Sequence, residues 1–108
     1  MKRGQIVTAV GRGDFARKPR PVLVIQAETF SLYHPTITVC PITSIESHDT
    51  LYRVPIGRTD ENGLYADSEI EIDMIQAIRR QRIGAAIGQA SEEVLFAVDQ
   101  SLRRWLAL

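Results

Sequence analysis

The stretch Lys18-Pro19-Arg20-Pro21-Val22-Leu23-Val24-Ile25-Gln26 leaves this chain few choices. Its two prolines fix their own φ angles and push Lys18 and Arg20 towards extended backbone, so a loop must end here in a stiff, straight segment. The run Val22–Ile25 shows no polar alternation, the mark of a strand covered on both faces. A chain of 108 residues is large enough for one core of that kind, and a single domain spanning residues 1–108 is expected. Arg20 is clamped at the mouth of the core strand, where its planar donor fork suits a phosphate better than a lysine would. A lone arginine at a strand start is more often a solvated rim charge, and the rest of the chain has to decide between the two.

Strand patterns continue on both sides. Gln5–Val10 reads as a first strand, and residues 11–18 as a flexible basic loop that returns the chain to the strand at 21–26. The tip of this hairpin carries Arg12, Arg17, Lys18 and Arg20 around Phe15. Such a tip can follow a phosphate backbone and stack on a base, or it can be an ordinary solvated loop with Phe15 folded back. After a short turn over residues 27–34, Thr36–Ile42 reads as a third strand whose Pro41 predicts an edge or a bulge. Thr43 and Ser44 then set two hydroxyls where that strand leaves the sheet. Leu51–Ile56 is a fourth strand, its Pro55 again predicting an edge, and residues 57–67 are turn material around Asn62-Gly63. Ser68–Ile75 alternates acidic and apolar residues, which predicts a core face and a solvated face of Glu69, Glu71 and Asp73, although Asp73 could also serve as a general base. Residues 75–78 continue as strand, Arg79-Arg80-Gln81-Arg82 forms a second basic cluster, and residues 83–88 make a last strand. Ser91 caps a helix with Glu92 and Glu93 in its first turn and Arg103 and Arg104 in its last. Val94, Leu95, Val98, Leu102, Trp105 and Leu106 line one face of it, and Trp105 reads as a core or dimer anchor. The fold class is therefore mainly β (α+β), with six to seven strands and a C-terminal amphipathic helix packed on the sheet.

Composition matters here for what it excludes. An apolar fraction of 44% and a charged fraction of 24% belong to an ordinary globular protein rather than a disordered or fibrous one. No apolar run approaches the roughly 20 residues that span a bilayer, and the start leads into a strand without a signal-like segment, so a cytoplasmic protein is expected. A single cysteine, Cys40, cannot form an internal disulfide and reads as a small core residue rather than a nucleophile. Thirteen basic residues balance thirteen acidic ones, yet residues 1–20 hold six cations against Asp14, and residues 46–73 hold eight carboxylates against Arg53 and Arg58. That asymmetry suits a basic working surface kept apart from an acidic flank, or simply two oppositely charged solvated faces. The chain has no Gly-rich phosphate loop before a helix, no paired Cys or His at metal-ligand spacing and no serine at a strand-to-helix elbow, while His34 and His48 stand alone. If it is an enzyme, it is expected to work without a metal or other cofactor. A basic loop, a clamped arginine and nearby hydroxyls could bind RNA and align its own 2′-hydroxyl against the adjacent phosphorus, a reaction that needs only positioning and charge stabilisation.

Several blocks also carry a resemblance. Met1-Lys2-Arg3-Gly4-Gln5-Ile6-Val7, Lys18–Gln26, Val39-Cys40-Pro41-Ile42-Thr43-Ser44, Glu61-Asn62-Gly63-Leu64, Ile72–Ile78 and Val98-Asp99-Gln100 together resemble, in the same order and over almost the whole chain, the MazF/PemK toxins of bacterial toxin-antitoxin systems. The resemblance implies an SH3-like barrel decorated by helices, a homodimer, and a metal-independent, sequence-specific endoribonuclease. Such an enzyme cuts single-stranded RNA through a 2′,3′-cyclic phosphate, leaving a 5′-hydroxyl. It also implies an antitoxin partner whose disordered segment covers the RNA groove. On this matching Arg20 and Thr43 are catalytic, and Arg12, Asp14, Phe15, Arg17, Lys18, Ser44 and Gln76 contact RNA. At 74 and 76 this chain carries Met and Gln where many relatives carry Gln and then Arg or Lys. The general base stays open among Asp73, Glu28 and water. A second reading is a non-catalytic toxin of the same fold that binds a protein such as gyrase, as the related CcdB toxins do, and a third is a plain RNA- or partner-binding barrel. Arg20 beside Thr43 favours the ribonuclease, because a protein-binding toxin has no need of that pair.

Overall fold

The computed structural model describes residues 1–10, 18–45 and 49–108. In chain order they form β1 (Gln5–Ala9), β2 (Arg20–Val24), α1 (Glu28–Ser31), β3 (Thr36–Ser44), β4 (Arg53–Ile56), β5 (Ser68–Glu71), β6 (Gln76–Arg79), β7 (Ile83–Gln89) and α2 (Glu92–Leu106). The strands make one antiparallel sheet in the order β4-β5-β3-β2-β1-β7, with β6 alongside β3 off this path. The two end strands are not paired with each other, so the expected barrel is an open one.

The doubly covered strand lies near the middle of this sheet. Leu23 joins Ile6, Cys40, Ile42, Ile70 and Ile72 in a cluster closed by Val98 of α2, while Val22 and Val24 join Val7, Ile37, Val39 and Ile78 in a second cluster on the other face. Each of these fully buried aliphatic side chains contributes about 1.5–3 kcal/mol, which is why the polar-free run can sit nowhere else. Gln26, the last residue of the opening stretch, fixes the register of β3. Its Oε1 accepts from the Thr38 N–H at 3.0 Å and its Nε2 donates to the Thr36 carbonyl at 3.2 Å, pinning the end of β2 to the start of β3. The helix α2 begins as its sequence requires, with the Ser91 hydroxyl accepting from the Val94 N–H at 3.2 Å. Its buried stripe is Val98, flanked by the partly buried Val94, Leu95 and Leu102. Trp105 is not in the core. It is half exposed, its ring 5.6 Å from that of Tyr52.

Three expectations change. The turn over residues 27–34 contains the helical turn α1, held by a tertiary donor: Arg80 donates to the carbonyls of Ser31 and His34. Pro41 lies in a central strand rather than at an edge. Along one flank β3 pairs with β6 up to Val39 and with β5 from Ile42 onward, so the proline falls at the handover between partners, where the absent donor breaks no continuous ladder. Pro55, by contrast, does sit in an edge strand. The acidic alternation ends early, because Ile72–Met74 forms a 3-10 turn that separates β5 from β6. Its carboxylates are not solvated either. Arg53 of β4 faces Glu71 across the ladder and gathers Glu69, Glu71 and Asp73, leaving the Glu69 side chain 4% exposed.

Candidate active site

The hydroxyl-bearing end of β3 and the arginine-bearing start of β2 meet. The β2–β3 ladder pairs Val22 with Pro41, and Arg20 and Thr43 stand two residues further along their respective strands, so alternation turns both to the side of that pair. Both line one recess of about 480 Å³, a volume in the range of ligand sites. Lys18 and Ser44 line it as well, and Thr8, Ser68 and the apolar Pro21, Ile42 and Ile87 complete that side. Lys18 and Arg20 are exposed and Thr43 is half-buried, so the cations reach solvent at the mouth while the threonine is set deeper.

The opposite wall is a stretch of the loop between β4 and β5, Gly63-Leu64-Tyr65-Ala66. In sequence this loop reads as turn material and holds the resembling block Glu61–Leu64, but its rigidity comes from contacts that no local pattern announces. Asn62 is buried, and its Oδ1 accepts from the N–H groups of Thr59 and Leu64, each at 3.1 Å, while its Nδ2 donates to the Gly57 carbonyl at 2.7 Å. Gly63 has φ of +68°, and a Cβ there would stand 2.1 Å from the Ile87 carbonyl oxygen, so the loop lies directly on β7.

The carboxylates lie elsewhere. Asp73 takes a forked pair of hydrogen bonds from Arg53, Nε to Oδ1 at 2.7 Å and Nη2 to Oδ2 at 3.1 Å, and does not line the recess. The hydrogen bond to Asp73 holds the Arg53 proton even more firmly than usual. Glu28 is exposed on α1, and His34 is engaged in its own turn, its Nδ1 3.2 Å from the Thr36 N–H donor. Among the described residues lining the recess there is no carboxylate, imidazole or thiol. Cys40 is fully buried in the core, where burial foremost, and the charge of Asp73 after it, push its thiol up to about 12.

Four of the predicted site residues are thus brought together: Lys18, Arg20, Thr43 and Ser44. Gln76 is not among them. It lines a separate recess of about 660 Å³ with Thr36, Arg79 and Arg82. Arg12, Asp14, Phe15 and Arg17 lie outside the described residues. Sequence reading missed Tyr65 and Leu64 in the wall, for which the only available signal was an aromatic placed just after the Asn62-Gly63 turn.

A family model described as a PemK-like, MazF-like toxin of type II toxin-antitoxin systems matches residues 2–106. The chain is 33% identical over 108 residues to a probable endoribonuclease MazF of Mycolicibacterium smegmatis, covering 100% of this chain and 98% of that one. Over 90 residues it is 34% identical to the endoribonuclease EndoA of Bacillus subtilis, covering 82% of this chain and 77% of the relative. Among solved structures, a mycobacterial endoribonuclease in complex with its cognate antitoxin has the same fold, with a TM-score of 0.82 over 100% of this chain and 96% of that one at 16% identity.

Proposed function

We propose that this chain, which belongs to the PemK-like, MazF-like family of type II toxin-antitoxin toxins, is an endoribonuclease that cuts single-stranded RNA, mRNA above all, without a metal ion. The observation that supports it most is the shared recess of Lys18, Arg20, Thr43 and Ser44. A phosphodiester bound there would meet two cations and two hydroxyl donors. The 2′-oxygen of the substrate attacks the neighbouring phosphorus, the 2′-O–P bond forms and the P–O5′ bond breaks, giving a 2′,3′-cyclic phosphate and a 5′-hydroxyl end. Negative charge gathers on the non-bridging oxygens at the crowded phosphorus. Arg20 stabilises it through its donor fork, and Thr43 fixes the phosphate by a hydrogen bond. A guanidinium does not give up its proton in proteins, so Arg20 acts as a charge stabiliser, and water protonates the departing 5′-oxygen. Water also accepts the 2′-hydroxyl proton. Asp73, with both oxygens held by Arg53 away from the recess, and the remote Glu28 are both poorly placed for that step.

The solved neighbour carries its cognate antitoxin, and this chain is proposed to have one too, a disordered acidic segment lying over Lys18 and Arg20. The single domain acts as a homodimer in the cytoplasm, where mRNA is found.

Purified protein should cleave a mixed RNA pool in EDTA, with 5′-hydroxyl ends on mapping. Arg20→Ala should lower the rate by about 10²–10³-fold or more while shifting stability by less than about 0.5 kcal/mol, because Arg20 is exposed. Intact RNA together with gyrase inhibition would reverse the assignment in favour of a protein-binding toxin.

A further inference from the structure

We propose that Tyr65 is a stacking platform for a nucleobase next to the cut phosphate, and therefore a binding and specificity determinant of this chain. The inference rests on the reading of the recess as an RNA-cutting site. Tyr65 is the one aromatic among the described residues that line the recess, and the residue is fully exposed, at 101%. Phe30 meets Tyr33 edge-on at 6.5 Å and Trp105 tilts against Tyr52 at 5.6 Å, while Phe96, exposed on α2, lies outside the recess. Tyr65 has no ring partner among the described residues.

Its backbone, in contrast, is fastened on both sides. Upstream, Asn62 is pinned by its three side-chain hydrogen bonds, Gly63 lies against Ile87, and Leu64 is 5% exposed. Downstream, Asp67 Oδ1 accepts from the Arg58 N–H at 2.8 Å, and the Ser68 hydroxyl donates to the Ala66 carbonyl at 2.9 Å. A rigid backbone carrying a bare ring loses little freedom when the ring is covered, the condition under which stacking is most favourable. The chemistry around it indicates what covers it. Lys18 and Arg20 take phosphate and Thr43 and Ser44 take polar oxygens, so the part of a nucleotide left unmatched is its flat base. Both faces of a base in a duplex are already stacked, so the platform accepts only an unpaired or turned-out base and excludes double-stranded RNA at the cut.

The test uses an uncleavable 2′-O-methyl oligonucleotide for binding and a mixed RNA pool for cutting, with wild type, Tyr65→Ala, Tyr65→Phe and, as an aromatic outside the recess, Tyr33→Ala. Tyr65→Ala should weaken binding and lower kcat/KM by about tenfold or more and should alter the preferred base beside the cut. Tyr65→Phe should restore both, and Tyr33→Ala should match wild type. Binding and cutting by Tyr65→Ala within about twofold of wild type would overturn the proposal, as would a Phe variant as impaired as Ala. Wild type that binds through Tyr65 without cutting would fail the ribonuclease reading alone. Wild type that cuts while Tyr65→Ala cuts equally well would fail the stacking proposal alone, and wild type that neither binds nor cuts would overturn both.

Discussion

Arg53→Met should bring down much of the fold's stability, although the residue takes no part in the proposed site. Arg53 stands 2.7 Å from Asp73, 3.3 Å from Glu69 and 3.3 Å from Glu71, with its own side chain 13% exposed and the carboxylates 17%, 4% and 18% exposed. At an effective dielectric constant of about 20, each such pair attracts by roughly 5 kcal/mol before desolvation is counted. Desolvation offsets most of that, so the network as a whole adds little over an apolar substitute for every member. Removing only the cation is different, because three crowded carboxylates then face each other out of water. Breaking a buried pair in this way costs about 3–5 kcal/mol, and at about 5 °C per kcal/mol for a chain of this size the melting temperature should fall by roughly 15–25 °C. Thermal melts followed by circular dichroism at pH 7 would show it. Acidification should narrow the gap between variant and wild type, since protonating the carboxylates removes the repulsion, and Arg53→Lys, which keeps the charge without the fork, should fall between the two. A loss under about 3 °C, or a gap that widens in acid, would refute the reasoning.

Two other expectations come from the packing. Cys40 should not react with a thiol reagent until the protein unfolds, which a comparison with and without denaturant checks. Its thiol titrates at 9.0 when unperturbed and at about 12 in the fold, so the folded state holds the proton longer, and unfolding free energy should be flat on this account below pH 9.0 and decline from there to about 12. Gly63→Ala should destabilise by about 2–4 kcal/mol in urea titrations, because the new methyl meets the Ile87 carbonyl in a left-handed backbone, and a change under about 0.5 kcal/mol would show that the loop yields without strain.

What the sequence revealed and what it hid divide along a physical line. The run Val22–Ile25, the cap at Ser91 and the apolar stripe through Val98 were legible because they depend on the residues nearest in the chain. Arg20 and Thr43 were legible as strand ends for the same reason, and the structure adds only that the ends meet. The errors arose where a distant residue decides. Glu69 and Glu71 have the pattern of a solvated face, and only the pairing of β4 with β5 brings Arg53 over them. Pro41 reads as an edge or bulge residue until β6 and β5 are seen to share one flank of β3. The helical turn α1 is too short to announce itself and depends on Arg80. Tyr65 looked like any loop aromatic, since neither its exposure nor the recess beside it exists before the loop lies on β7.

Gln26 pins the end of β2 to the start of β3, and this makes chain length, rather than side-chain identity alone, a condition of the chemistry. Arg20 is reached by counting back from that pin and Thr43 by counting forward. One residue inserted or deleted between Thr38 and Thr43 would turn the threonine to the opposite side of the sheet and carry it about 3.3 Å along the strand, away from the arginine, even if every functional group were kept. Extra residues between Gln26 and Thr36 would leave the count untouched. The meeting of Arg20 with Thr43 is thus set by the residue count within the two strands, whereas the length of the segment around α1 bears only on the contacts of that segment with Gln26 and Arg80.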